Sequence, residues 1–149
     1  MRAVVQRVSE ASVEVQGTLC SAVGAGLLVY VGVDRDDGAT DAEYLADKVR
    51  HLRIFPDAAE RMNLDVGQVG GKVLVVSAFT VQADARRGRR PAFDSAALPD
   101  NALVMYRLFC DALSRTGIPV ERGSFGDCMM VKSVNAGPVC VLLDSRRVF

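Results

Sequence analysis

Hydrophobic positions along the chain follow two rhythms, which predict strands towards both ends and helices between them. From Ala3 to Val15, Val4, Val8, Val13 and Val15 are spaced through polar residues and predict a first strand. Period-two alternation does not hold throughout, so a bend is expected around Ser9–Ser12. Gln16-Gly17-Thr18 reads as a hairpin turn. A second long strand is expected from Leu19 to Val33, with Gly24 and Gly26 marking a bulge or bend. After a polar loop, Asp34–Gly38, the run Thr40-Asp41-Ala42-Glu43 has the form of a capping box. Leu45, Val49 and Leu52 follow at helical spacing and predict a helix from about Asp41 to Arg53.

Phe55-Pro56 closes that helix, and residues 57–71 read as loop. Lys72–Thr80 is a nearly continuous apolar strand, of the kind that lies deep in a sheet. Gln82–Asp100 carries arginines, Pro91 and Pro99 and reads as a long irregular segment; in a compact domain such a loop tends to be functional. Asp100 is expected to cap a second helix, where Leu103, Tyr106, Cys110 and Leu113 recur until Gly117. Strands are predicted at Ile118–Glu121, Cys128–Val134 and Val139–Asp144, with Asn135-Ala136-Gly137-Pro138 as a turn between the last two. This order argues for a mixed α/β fold with two main helices and largely antiparallel sheet, not a doubly wound one.

Composition narrows the class. With 149 residues, half of them hydrophobic and 24% charged, the chain reads as one globular domain over residues 1–149. The apolar stretch Ala25–Val33 is too short to span a bilayer, and Met1-Arg2-Ala3-Val4-Val5-Gln6-Arg7 lacks the apolar core of a signal peptide. A soluble cytoplasmic protein with no membrane partner is expected. Net charge is zero, but Arg86, Arg87, Arg89 and Arg90 cluster around Gly88. Charge alone leaves two readings of that cluster, a phosphate contact or a solvated loop. Cys20, Cys110, Cys128 and Cys140 form no C-x-x-C pair and His51 is the only histidine, so neither a metal nor another cofactor is expected.

Conventional catalytic side chains are scarce. A Ser/His/Asp triad would have to join His51 to Ser77 or Thr80, but a histidine in the last turns of a helix is explained by the helix dipole. Cys140 lies in the apolar run Val139-Cys140-Val141-Leu142, which reads as core strand and not as a thiolate site for a dyad with His51. An enzyme built from this chain would work through backbone groups and its substrate. Two segments fit: Ser77-Ala78-Phe79-Thr80, where a strand leaves the sheet and its amides can form an oxyanion hole, and Asn135-Ala136-Gly137-Pro138. Read without further context, the first is a strand end and the second an ordinary turn.

Colinear motifs then tie these segments together. The opening Met1–Val8, Gly26-Leu27-Leu28-Val29 through Gly32-Val33, Leu52-Arg53-Ile54-Phe55, Met62-Asn63-Leu64 and Arg89-Arg90-Pro91 resemble the D-aminoacyl-tRNA deacylase family, also called D-tyrosyl-tRNA deacylases. Its Ser-Gln-Phe-Thr motif aligns with Ser77–Thr80 and its Asn-x-Gly-Pro-Val-Thr motif with Asn135–Cys140; the Gly123-Ser124-Phe125-Gly126 turn and Met129 also match. The resemblance spans essentially the whole chain. Three departures stand out: Ala78 for glutamine, Cys140 for threonine, and Asp127-Cys128 for the more usual Ala-Asp.

The resemblance implies a barrel-like core and a homodimer with active sites at the subunit interface, acting on the acceptor end of aminoacyl-tRNA. It implies hydrolysis of D-aminoacyl esters and of glycine mischarged on alanine tRNA. Gly137-Pro138, in the cis form, would enter the other subunit's pocket and exclude L side chains. Phe79 and Thr80 would supply backbone oxyanion donors beside Ser77 and Ala78. Arg7, Asn135, Met129 and Phe125 would support the site, and Arg86, Arg87, Arg89 and Arg90 would hold tRNA phosphates. Because of Ala78 and Cys140 two alternatives stay open, a catalytically weakened tRNA-end binding dimer and a deacylase of relaxed chirality.

Overall fold

Both edges of the first strand, β1 (Arg2–Val15), are paired, and this makes it the spine of the molecule. A computed structural model describes residues 1–148. Along one edge of β1 runs β8 (Met129–Asp144), antiparallel from Arg2 to Val15. The other edge is shared: β3 (Gly26–Gly32) pairs with Arg2–Val8, and β2 (Thr18–Val23) with Ala11–Val15. Beyond β3 the sheet continues in parallel through β6 (Lys72–Ser77) to β7 (Val120–Arg122). The result is a mixed six-stranded sheet curled into a nearly closed, barrel-like form, with helices α1 (Ala39–Arg50) and α2 (Pro99–Ser114).

Side-chain periodicity explains how one sheet serves two cores. Leu27, Val29 and Val31 of β3, with Val73 and Val75 of β6, join the core that also holds α1 and α2. Leu28 of β3, with Leu74 and Val76 of β6, joins Val8, Ala11, Val13 and Val23 in a second cluster. Burial on both faces is why these strands read as continuous apolar runs. Each helix contributes a stripe at i, i+3, i+4 and i+7: Ala42, Leu45, Ala46 and Val49 in α1, and Tyr106, Phe109, Cys110 and Leu113 in α2.

Several elements differ from the sequence expectation, each for a local reason. The irregularity in β1 falls at Gln6–Glu10, where its register with β8 shifts twice. It carries the strand from the first core (Ala3, Val5) to the second (Val8, Ala11, Val13). The strand expected over 19–33 is β2 and β3, broken at Gly24-Ala25. Helix α1 begins two residues earlier than expected: Gly38 is its N-cap, and Asp41, not Glu43, accepts the Gly38 amide at 2.9 Å. In α2, Pro99 takes the first turn after Leu98, so Asp100 lies inside the helix. Part of the 57–71 segment forms a small ribbon, β4 (Phe55–Pro56) with β5 (Met62–Leu64). The last two expected strands are one, because Asn135–Pro138 is an irregularity inside β8 and not a turn.

The termini are drawn together by charge. The Met1 ammonium donates to Asp37 Oδ1 at 2.6 Å and to Ser145 Oγ at 2.7 Å, and Met1 and Asp37 are both buried. Asp37 Oδ2 also accepts the Asp34 amide at 2.6 Å, and Arg146 reaches Asp34 at 2.9 Å.

Candidate functional site

Strand β6 ends at Ser77, three residues earlier than its hydrophobicity predicts, because the chain turns into a short 3-10 segment, Phe79–Gln82. One hydrogen bond within the turn and two to the end of β3 hold it in place. The Ala78 amide donates to Val31 O at 2.8 Å, the Val81 amide to Ala78 O at 3.1 Å, and the buried Gln82 side chain donates from Nε2 to Gly32 O at 2.7 Å. Gly32 permits the approach: a Cβ there would stand 2.9 Å from Val81 Cβ and 3.0 Å from Ala78 O. The Phe79 and Thr80 amides open the turn and donate to no other group among the described residues.

Phe79 and Thr80 both line a cleft of 750 Å³. Its walls come from the end of β3 (Tyr30, Val31), the turn (Ser77–Thr80), the start of α2 with Ala97 and Tyr106, and the segment Phe125–Met129. Phe79 packs edge-on against Phe93 with centroids 5.1 Å apart, and Tyr106 lies 5.8 Å from Phe125. Burial raises the pKa of both Tyr30 and Tyr106, so their phenols stay protonated, and Tyr106 donates to Val75 O at 2.8 Å. Below it in α2, burial pushes the Cys110 thiol up to about 11. Asp127 is the only charged side chain lining the cleft among the described residues, and the Ser124 hydroxyl donates to its carboxylate.

The cleft thus brings together Ser77, Ala78, Phe79, Thr80, Phe125 and Met129. Sequence reading did not find Gln82 and Gly32 as its anchors. Their only signal was a glycine at the end of an apolar run, opposite a polar residue in an alanine-rich stretch.

A second group forms elsewhere on the molecule. Arg7 Nε donates to Ala136 O at 2.9 Å and Nη1 to Ile54 O at 2.5 Å. Asn135 Oδ1 accepts the Val139 amide at 2.8 Å, bracketing Gly137 and Pro138. Their peptide bond is cis, and both residues are exposed. Gly137 has φ +141°, and a Cβ there would fall 2.9 Å from Arg7 Nη2 and 2.8 Å from Val139 Cγ2, so only glycine fits. None of Arg7, Asn135, Gly137 or Pro138 lines the cleft of its own chain.

The arginine cluster caps a loop pinched shut by reciprocal 2.8 Å bonds between the Asp84 and Ala92 backbones. Arg86 is committed to Asp84, with Nη2–Oδ2 at 2.6 Å and Nε–Oδ1 at 2.9 Å, and its guanidinium holds that carboxyl far below the usual range. Arg87, Arg89 and Arg90 are exposed and make no ion pair among the described residues. Arg86 also lines a second cavity, of 520 Å³, with Arg2, Asp34, Arg35, Gln82 and Asp94.

Neither of the side-chain alternatives is assembled. His51 caps the exposed end of α1, 3.0 Å from Asp47, and Cys140 is exposed on β8 opposite Gln6; neither lines a cavity described above. Among the described residues no group of three or more His, Cys, Asp or Glu could hold a metal ion, and no helix is long and apolar enough to cross a membrane.

Comparison with known proteins agrees with the motifs. The family model described as D-Tyr-tRNA(Tyr) deacylase matches residues 4–144. A D-aminoacyl-tRNA deacylase of Anaeromyxobacter dehalogenans is 58% identical over the whole of both chains, and that of Syntrophobacter fumaroxidans 52%, again over both in full. Among solved structures, one described as c-Myc DNA Unwinding Element Binding Protein superposes with a TM-score of 0.92 at 35% identity, covering 97% of this chain and 98% of that one. A probable eukaryotic D-amino acid tRNA deacylase, at 17% identity, shares the fold with a TM-score of 0.78 over 96% of this chain and 98% of its own.

Proposed function

The chain belongs to the D-Tyr-tRNA(Tyr) deacylase family, hydrolases of aminoacyl-tRNA esters, and we propose that it removes D-amino acids and glycine from tRNA by backbone catalysis. The observation that carries this reading is the pair of unengaged amides, Phe79 and Thr80, at the edge of a cleft without a side-chain acid–base pair. The ester carbonyl is placed against those amides, which stabilise the charge that develops on its oxygen; one such donor is typically worth about 2.7–4 kcal/mol. The ribose 2′-hydroxyl of the substrate positions or activates the attacking water. Tyr30 and Tyr106, held protonated by burial, are not bases for that step.

Selection against L-amino acids falls to Gly137-Pro138 of a partner subunit. The pair is exposed, is braced by Arg7 and Asn135, and lies outside its own cleft, as an element that serves another copy would. With the substrate amine and ester both fixed, only the hydrogen and the side chain on Cα can exchange places. An L side chain then meets the Gly-Pro backbone, whereas a D side chain points to solvent and glycine has nothing to exclude. Exclusion of this kind discriminates more strongly than one missing contact. Arg87, Arg89 and Arg90 are free to meet phosphates of the acceptor end.

The test is a deacylation assay without added metal on tRNA charged with D-tyrosine, L-tyrosine or glycine. Release of D-tyrosine and glycine with L-tyrosyl-tRNA left intact is expected. Survival of all three esters at micromolar protein would instead favour a tRNA-end binding protein, and loss of the L-ester a deacylase of relaxed chirality.

A further inference from the structure

The cleft and the second cavity draw their linings from the same three stretches of chain. Along these stretches the residues divide between the two: Val33 lines the cleft and Asp34 the cavity, Thr80 the cleft and Gln82 the cavity, and Phe93 and Ala96 the cleft while Asp94 and Ser95 line the cavity. At 520 Å³ the cavity falls within the range of about 300–1,000 Å³ usual for small-ligand sites. A single strand whose last residue fills the cleft therefore meets this cavity next. We propose, building on the function above, that the second cavity is the subsite for the nucleotide preceding the esterified adenosine, a cytidine in tRNA.

Charge inventory supports a nucleotide and not a simple anion. Arg2 is occupied by Asp144 at 2.9 Å, Asp34 by Arg146 at 2.9 Å, and Asp84 by Arg86 at 2.6 Å. Arg35 and Asp94 remain, the two lining charges without an ion pair among the described residues, and both are exposed. One free guanidinium fork and one free carboxylate match a base edge with acceptors and a donor. A carboxylate accepts from the cytosine amino group, and a guanidinium donates to ring or carbonyl acceptors or to the linking phosphate. A phosphate alone would leave Asp94 facing a like charge. The loop with Arg87, Arg89 and Arg90 continues from the same rim, so the chain of phosphates passes from cavity to loop.

The experiment compares non-hydrolysable D-tyrosyl amides of adenosine and of the dinucleotide CpA by calorimetry, and hydrolysis of the matching esters. The dinucleotide is expected to bind about tenfold tighter, which corresponds to about 1.4 kcal/mol. The double variant Arg35→Ala, Asp94→Ala should erase most of that gain while leaving binding and hydrolysis of the adenosine compounds unchanged. Equal affinity of the two amides for the unaltered protein overturns the subsite. So does a gain that survives the double variant, or one kept in full when the cytosine base is removed from the dinucleotide. Failure of the catalytic reading looks different: the amides bind with the expected ratio, but neither ester is cleaved.

Discussion

Gln82 and Gly32 are joined by a 2.7 Å bond from the buried amide Nε2 to the glycine carbonyl, and this bond locks the turn bearing Phe79 and Thr80 to the end of β3. Substituting Gln82→Leu leaves a buried carbonyl unpaired, at about 1–3 kcal/mol. Gly32→Ala drives a methyl into Val81 and the Ala78 carbonyl. Both variants should lower kcat at least about tenfold with little change in KM, because the oxyanion donors move while the cleft walls stay. Wild-type kcat in both would mean that the turn needs no such anchor.

Arg7 spans two carbonyls, Ala136 and Ile54, that an ammonium cannot fork between. Arg7→Lys is expected to keep D-tyrosyl-tRNA turnover within about tenfold while L-tyrosyl-tRNA becomes a measurable substrate. The D/L ratio of kcat/KM reads the effect directly. An unchanged ratio would remove Arg7 from the selectivity device.

Replacing Arg87, Arg89 and Arg90 together with alanine should raise KM for intact tRNA and spare aminoacyl-adenosine. The slope of log affinity against log salt should become shallower by about 0.7–0.9 for each phosphate that is no longer neutralised. An identical salt slope would return these residues to the role of a solvated loop.

Alkali should destabilise the fold through α2. Burial raises Cys110 from 9.0 to about 11 and raises Tyr106 as well, so the folded chain holds these protons more tightly than the unfolded chain does. Their contribution is complete below the unfolded pKa and is lost as pH climbs through the folded one. Unfolding free energy should therefore fall from about pH 9, by on the order of 2 kcal/mol at pH 11 from Cys110. Denaturant melts at pH 8–11 should show a flatter decline for Cys110→Ala.

Ala78 stands in the cleft wall where the family motif has glutamine. If catalysis belongs to the backbone, Ala78→Gln changes kcat by less than about tenfold, under 1.4 kcal/mol. A large gain would identify the natural chain as a weakened binder.

Much of this was legible in the amino-acid order. Burial periodicity placed both helices, and apolar runs marked β3 and β6 because both faces of those strands are covered. The motifs located the cleft segment and the Gly137-Pro138 segment. Pattern alone misplaced the end of β6, since Phe79 and Thr80 carry strand-like side chains while the Gln82–Gly32 bond holds them in a turn. It also divided β8 at Gly137-Pro138, because turn chemistry dominates locally while pairing with β1 decides globally. The second cavity left no periodic trace, being assembled from three distant segments.

The chain shared between the linings of cleft and cavity also constrains how such a protein can drift. Each position along it lines one chamber only, so a substitution alters one side at a time. A single insertion or deletion near Val33-Asp34 or Phe93–Ala96 would shift residues from one lining to the other, bringing a charged group such as Asp34 or Asp94 to the apolar chamber. Divergent copies of this enzyme should therefore vary in spelling along these stretches while conserving their length.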